Sequence, residues 1–288
     1  MSDPAKPSLL DHLSTNLLRI LPQHLLAAGM YRLARSTTPW LKNLLIRQIS
    51  RHYGVNMAEA EEQDLAAYPS FNAFFTRALK ADARPLAAGS VMSPADGRVN
   101  QLGDIHGEAL IQAKGHEFDL QALLAGDKYK TAQFRDGLFA TIYLSPKDYH
   151  RIHMPIGGRL QRMIHVPGRL FSVAPYTVRQ VPRLFARNER VISIFETDSG
   201  PLVMVLVGAM LVSSTETVWA GEVTPTKNKD VTVKYYSDEE IKLAKGEEMG
   251  RFNMGSTVIM LMPSGALKSF VGLGAGDAVK VGQKLGEV

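Results

Sequence analysis

The sequence has no cysteine, which removes disulfides, thiolate nucleophiles and cysteine-ligated metals at once. No apolar run approaches the ~20 residues needed to span a bilayer, and the first residues lack a signal-peptide core. There is no Gly-x-Ser-x-Gly elbow, which weighs against an ordinary α/β-hydrolase. Without His-Glu-x-x-His or a glycine loop ending in Gly-Lys-Ser/Thr, a zincin and a P-loop are not expected. After residue 85 no long helical pattern separates the apolar runs, which excludes a doubly wound parallel sheet.

What is present is an ordinary folding composition, 45% hydrophobic and 21% charged over 288 residues, enough for one large domain or two small ones. The formal net charge of +5 points to an anionic partner, either nucleic acid or an acidic membrane surface. That charge is concentrated. Residues 1–53 carry Lys6, Arg19, Arg32, Arg35, Lys42, Arg47 and Arg51 against only Asp3 and Asp11, an excess equal to that of the whole chain.

The same region is helical by pattern. Leu10, Leu13, Leu17, Leu18 and Leu21 recur at helical spacing until Pro22, and Leu25, Leu26, Met30 and Leu33 form a second stripe. Thr38-Pro39 reads as N-cap and first helical position of a helix bearing Trp40, Leu41, Leu44, Leu45 and Ile49. Basic residues beside leucines and a tryptophan suit helices lying on a membrane surface; solvated basic residues on a packed helical layer are the plainer alternative. Ser70 is placed to cap a short helix with Phe71, Phe74, Phe75 and Leu79 on one face.

From residue 85 onward the texture becomes short β-like runs, at 91–93, 139–144, 191–195, 202–212, 231–235 and 258–262. The expectation is an α+β fold, a helical N-terminal layer on a mainly antiparallel β core. Residues 1–55 form the basic amphipathic segment and 56–288 the catalytic domain.

Three stretches could carry chemistry. Ser93-Pro94-Ala95-Asp96-Gly97 alone reads as a turn. Ser145-Pro146-Lys147-Asp148 fits the capping of one helical turn, and His150 and His153 follow directly. These histidines with His165 could ligate a metal, but Asp148 is better spent as a cap, so no metal is expected. Met254-Gly255-Ser256-Thr257 leads from a charged approach into an apolar run, and a glycine before a serine leaves its carbonyl open to a nearby hydroxyl. On the residues alone, a serine hydrolase drawing a carboxylate, a histidine and a serine from stretches distant in sequence stays open. So does a lipoyl- or biotinyl-like carrier, suggested by the glycine-rich tail at 272–286, although a methionine-flanked lysine is missing.

Together the blocks carry a resemblance. Ser93-Pro94-Ala95-Asp96-Gly97, residues 143–155, His165-Val166-Pro167-Gly168, Leu170-Phe171-Ser172-Val173, Asn188-Glu189-Arg190-Val191, Glu216-Thr217-Val218-Trp219-Ala220-Gly221 and residues 245–257 occur in this order. The chain resembles bacterial-type phosphatidylserine decarboxylases over roughly residues 71–270. It has Met254 where that family commonly has leucine, a change close in volume.

The resemblance implies a self-processing, pyruvoyl-dependent enzyme that makes phosphatidylethanolamine. Asp96, His153 and Ser256 would be the self-cleavage triad, with the cut after Gly255 giving chains 1–255 and 256–288 that stay together as a heterodimer. Ser256 would become a covalent pyruvoyl group that forms a Schiff base with phosphatidylserine, and His150 is the candidate proton donor. It further implies that the anionic partner is a membrane surface rather than nucleic acid. The protein would then sit peripherally on the cytoplasmic face of the cell membrane.

Overall fold

The run Thr257-Val258-Ile259-Met260-Leu261-Met262 is apolar without alternation, the pattern of a strand covered on both faces. A computed structural model, which describes residues 21–113, 116–210, 214–226, 228–254 and 256–287, places it in that setting. The large sheet is built from β1 (Gly97–Asp104), β2 (Leu138–Tyr143), β3 (Gly158–Val166), β4 (Arg190–Thr197), β5 (Gly200–Val207), β6 (Thr232–Tyr235), β7 (Thr257–Met262) and β8 (Ala278–Val279). In space they run β6-β3-β4-β5-β7-β2-β1-β8, and a two-residue strand, Lys242–Leu243, also pairs with β3. Every one of these pairings is antiparallel. β7 therefore lies between β2 and β5, with Thr257 opposite both Tyr143 and Val207.

Alternate residues of β7 enter different cores. Ile259 and Leu261 join Phe118, Phe185, Val203 and Val205 on one face, whereas Val258, Met260 and Met262 join Ile142, Met204 and Leu206 on the other. A four-stranded antiparallel sheet stands beside this one, in the order Gly221–Thr224, Thr215–Thr217, Glu248–Phe252, Arg151–His153. The C-terminal strand Lys284–Glu287 pairs with Ser90–Met92 and with Ser269–Phe270. The glycine-rich tail is thus woven into the fold and is not a free-standing carrier hairpin.

Helices cover one end. α1 (Gln23–Ala34), α2 (Pro39–Tyr53) and α3 (Phe71–Phe75) share an apolar cluster of Ala34, Ile46, Tyr68, Phe71, Phe74 and Phe75, against which Met254 packs. Ser70 caps α3 through Ala73 N–H at 3.1 Å, but α3 stops at Phe75, before Leu79. Pro39 opens α2 as expected, although the Thr38 side chain makes no capping bond. Lys42 differs from the expected solvated cation. It is turned inward and donates to Ala66 O at 2.8 Å and Asn43 Oδ1 at 3.1 Å. Outward instead face Leu25, Leu26, Trp40 and Leu44. No described helix is long and apolar enough to cross a membrane. Residues 1–20, with the first leucine stripe, lie outside the described residues.

Arg190 begins β4 in the interior. Its guanidinium donates to Ala122 O and Leu123 O at the end of one short helical turn (Leu120–Leu123). On the other side it donates to Ala186 O and Asn188 O at the end of another (Leu184–Arg187).

Candidate active site

The strand Arg151–His153 follows the Ser145–Asp148 turn, which forms as the sequence suggests. Asp148 Oδ2 accepts from the Ser145 amide and hydroxyl, each at 2.7 Å. The strand then pairs with Glu248–Phe252, setting His153 opposite Glu248 and the His150 carbonyl on the Phe252 amide at 3.0 Å. On its other side Glu248–Phe252 pairs with Thr215–Thr217, which Gly250 permits, because a Cβ there would sit 2.3 Å from Glu216 O. Four residues after Phe252 comes Ser256, whose carbonyl accepts from Leu144 N–H at 2.9 Å as β7 begins. Gly255, the predicted carbonyl side of the cut, lies outside the described residues.

Ser256 is fully buried and its Oγ has no hydrogen-bond partner among the described residues. Just before it, Met254 holds φ of +134°, a sparsely populated region for a residue with a Cβ. A buried, unpartnered hydroxyl beside a strained backbone is costly unless it has work to do.

The two histidines are fixed differently. His150 donates from Nδ1 to Asp148 O at 2.8 Å, since a carbonyl can only accept. Its ring lies 4.0 Å from the Phe75 ring, and Nε2 is buried without a partner. Burial, and then the Arg77 charge, push His150 down to about 3, so the ring is neutral with an open lone pair. His153 donates from Nδ1 to Gly246 O at 2.7 Å, which leaves Nε2 to accept from Tyr149 O–H at 3.0 Å. Burial lowers His153 as well, and burial raises Tyr149 to about 12, which keeps that hydroxyl a donor.

Asp96 is held elsewhere. Its carboxylate accepts from Arg84 Nε at 2.9 Å, Arg84 Nη2 at 2.5 Å and the Val281 amide at 2.8 Å. Arg84 also bridges to Glu59, which pairs with Lys280. The structure joins the Asp96 loop to His153 through the backbone, His153 N–H to Pro94 O at 2.8 Å, and among the described residues the two side chains share no hydrogen bond. His165 is engaged with Glu189 at 3.0 Å, and no group of three metal-ligating side chains occurs among the described residues.

A family sequence model described as Phosphatidylserine decarboxylase matches residues 71–287, and a second, described as PSD, matches residues 13–54. The chain belongs to the phosphatidylserine decarboxylase family. It is 56% identical to a phosphatidylserine decarboxylase proenzyme of Alkalilimnicola ehrlichii over 91% of this chain and 92% of the relative. It is 51% identical to proteins of the same name from Nitrosococcus oceani, over 100% and 95%, and from Bordetella avium, over 96% and 95%.

Sequence reasoning did not reach four groups at this candidate site: Arg84 on Asp96, Tyr149 and the Gly246 carbonyl on His153, and Arg77 near His150. None carries a motif signature. The one available signal was the placement of Tyr149 between Asp148 and His150, in a stretch already dense in polar groups.

The buried neutral His150 makes the fold acid-sensitive. Its folded pKa lies below the unfolded value near 6.5, so the unfolded chain takes up the proton first and stability falls as pH drops from about 6.5 toward about 3. One pH unit below 6.5 the loss reaches about 1.4 kcal/mol. Urea unfolding at pH 7.5 and 5.5 should show this difference. His150→Phe, which keeps the ring on Phe75, should shrink it; an unchanged pH slope in that variant contradicts the assignment.

Proposed function

We propose that this decarboxylase makes its own prosthetic group from Ser256 and uses it to convert phosphatidylserine to phosphatidylethanolamine and CO2. The observation that carries the reading is the buried, unpartnered Ser256 Oγ at the start of β7, beside the strained Met254, in a family whose relatives are named proenzymes.

In the first stage the Ser256 hydroxyl proton passes toward His153 Nε2, the nitrogen left basic by the Nδ1 bond to Gly246. Tyr149 O–H occupies that nitrogen, so it must yield the position or pass the proton along. Asp96 supports the charge on His153 through the field, without a direct bond. The Ser256 oxygen forms an ester with the Gly255 carbonyl carbon as the peptide C–N bond breaks. Loss of the Ser256 α-proton then expels the Gly255 carboxylate by breaking the Cβ–O bond. Water converts the resulting dehydroalanine into a pyruvoyl group and ammonia.

The site suits such a group: the position is sealed, and His150 Nε2 lies buried with an open lone pair. A pyruvoyl group there would supply a ketone to take up the substrate amine and a sink for the electron pair left by departing CO2. His150 is neutral, so it cannot begin as an acid. It remains the candidate donor to the α-carbon, and a proton would reach Nε2 once the anionic substrate offsets the Arg77 charge that helps hold the ring neutral.

The decisive measurement is the intact mass of the purified protein. Two fragments, 1–255 and 256–288, are expected, the smaller lacking a free amine and lighter by one ammonia than a serine-started peptide. A single uncut chain would sink the reading and return the hydrolase alternative.

We place the N-terminal segment, residues 1–55, on an anionic membrane surface. Its support is the concentrated positive charge and the outward Leu25, Leu26, Trp40 and Leu44. Replacing Leu25, Leu26, Trp40 and Leu44 by serine should release the folded protein from phosphatidylserine-containing vesicles, and undiminished binding would refute this placement.

A further inference from the structure

Arg77 follows the short helix α3 and is buried at 4% exposure. Its Nη2 donates to Lys147 O at 3.0 Å, while Nε and Nη1 are closed off from solvent and have no hydrogen-bond partner. Among the described residues no carboxylate lies within salt-bridge distance. The guanidinium carbon sits 5.5 Å from the Phe74 ring centroid, a weak compensation for a desolvated cation. Arg190, the other deeply buried arginine, has all three guanidinium nitrogens bonded, to four carbonyls, so burial alone does not force orphaned nitrogens on this fold. A buried charge with two free donors costs several kcal/mol unless something anionic arrives to meet it.

The position of Arg77 says what that would be. Its charge acts on the His150 ring, and its Nη2 partner Lys147 precedes that histidine by three residues. It belongs to the α3 cover, whose Phe75 stacks on His150 and whose apolar cluster holds Met254, two residues before Ser256. Arg77 and His150 thus lie against one cover, and Met254, two residues before Ser256, packs on the same cluster.

We propose that Arg77 receives an oxyanion of the phospholipid headgroup, holding the substrate with its amine toward position 256. The inference rests on the reading of this site as a phosphatidylserine decarboxylase. A guanidinium presents its donors as a planar fork matched to two oxygens, which both a carboxylate and a phosphodiester offer. Because Nε and Nη1 are sealed, the headgroup reaches them only as the α1–α3 cover shifts from the sheet.

The test uses the full-length purified protein, Arg77→Met and Arg77→Lys, assayed for fragment masses, melting temperature, and CO2 release from phosphatidylserine in detergent micelles. Arg77→Met is expected to split normally and to show a KM raised at least tenfold. Inhibition by phosphatidylethanolamine, which keeps the phosphodiester but has no carboxylate, separates the two sources. Weakened inhibition in Arg77→Met assigns the phosphodiester, and unchanged inhibition with the raised KM assigns the carboxylate. A wild-type KM in Arg77→Met overturns the proposal. So does a folded variant that stays one chain, since Arg77 would then serve the cut and not the lipid. Where Arg77→Met does not fold, Arg77→Lys decides: normal splitting and melting with a raised KM support the proposal, and an unchanged KM overturns it. A wild-type protein that neither splits nor releases CO2 fails the functional reading itself, a distinct result.

Discussion

Ser256→Ala is expected to leave one uncut chain of full mass with no decarboxylase activity. The substitution removes only Oγ, and that atom makes no hydrogen bond in the folded protein. Its loss should therefore leave a folded chain with a cooperative thermal transition, because no interaction among the described residues is broken and the space vacated is small. Stability and processing are separated cleanly here, so an uncut chain cannot be dismissed as misfolded. The measurement is intact mass together with thermal unfolding. Two fragments from the alanine variant would place the reactive oxygen elsewhere, with Thr257 the nearest hydroxyl to examine.

Arg190→Leu is expected to cost stability of at least about 3 kcal/mol. Four carbonyls lose a charged donor together, and two of the chain's short helical turns lose the cation that faces their negative ends. Burial lowers Arg190 to about 10, so the guanidinium is still charged at neutral pH and its bonds are charge-assisted. For a chain of this size the loss corresponds to a melting temperature lower by roughly 6–12 °C. Arg190→Lys should fall between, because an ammonium keeps the charge but cannot span both helical ends with one planar group. A melting temperature within 2 °C of wild type for Arg190→Leu, by about the same scale, would remove the stapling role.

The α+β architecture was legible because its strongest strands are also its most apolar. β2, β4, β5 and β7 stand out in the sequence since both faces of the sheet are covered, and each was expected within a few residues of its observed limits. The run expected at 202–212 is shorter in its described part, however: the strand ends at Val207, where Gly208 N–H turns to Glu189 O, and 211–212 lie outside the described residues.

β1 and β3 escaped notice for a shared reason. Each carries a register shift, between Val99 and Gln101 and between Leu160 and Arg162, which breaks the alternation a sequence reading depends on. The candidate site was legible only as separated blocks. Asp96, His153 and Ser256 were named through the resemblance, but the partners that hold the first two, Arg84, Tyr149 and the Gly246 carbonyl, come from distant or unmarked positions. A backbone carbonyl has no letter of its own in a sequence.

β7 sits with a full ladder on either side, and residues C-terminal to it close the edge of the sheet and pair with Ser90–Met92. The segment from Ser256 onward is therefore interwoven with the rest. If the bond after Gly255 is cut as proposed, the two pieces stay joined by these ladders, and neither can be replaced by a fresh copy without undoing the sheet itself.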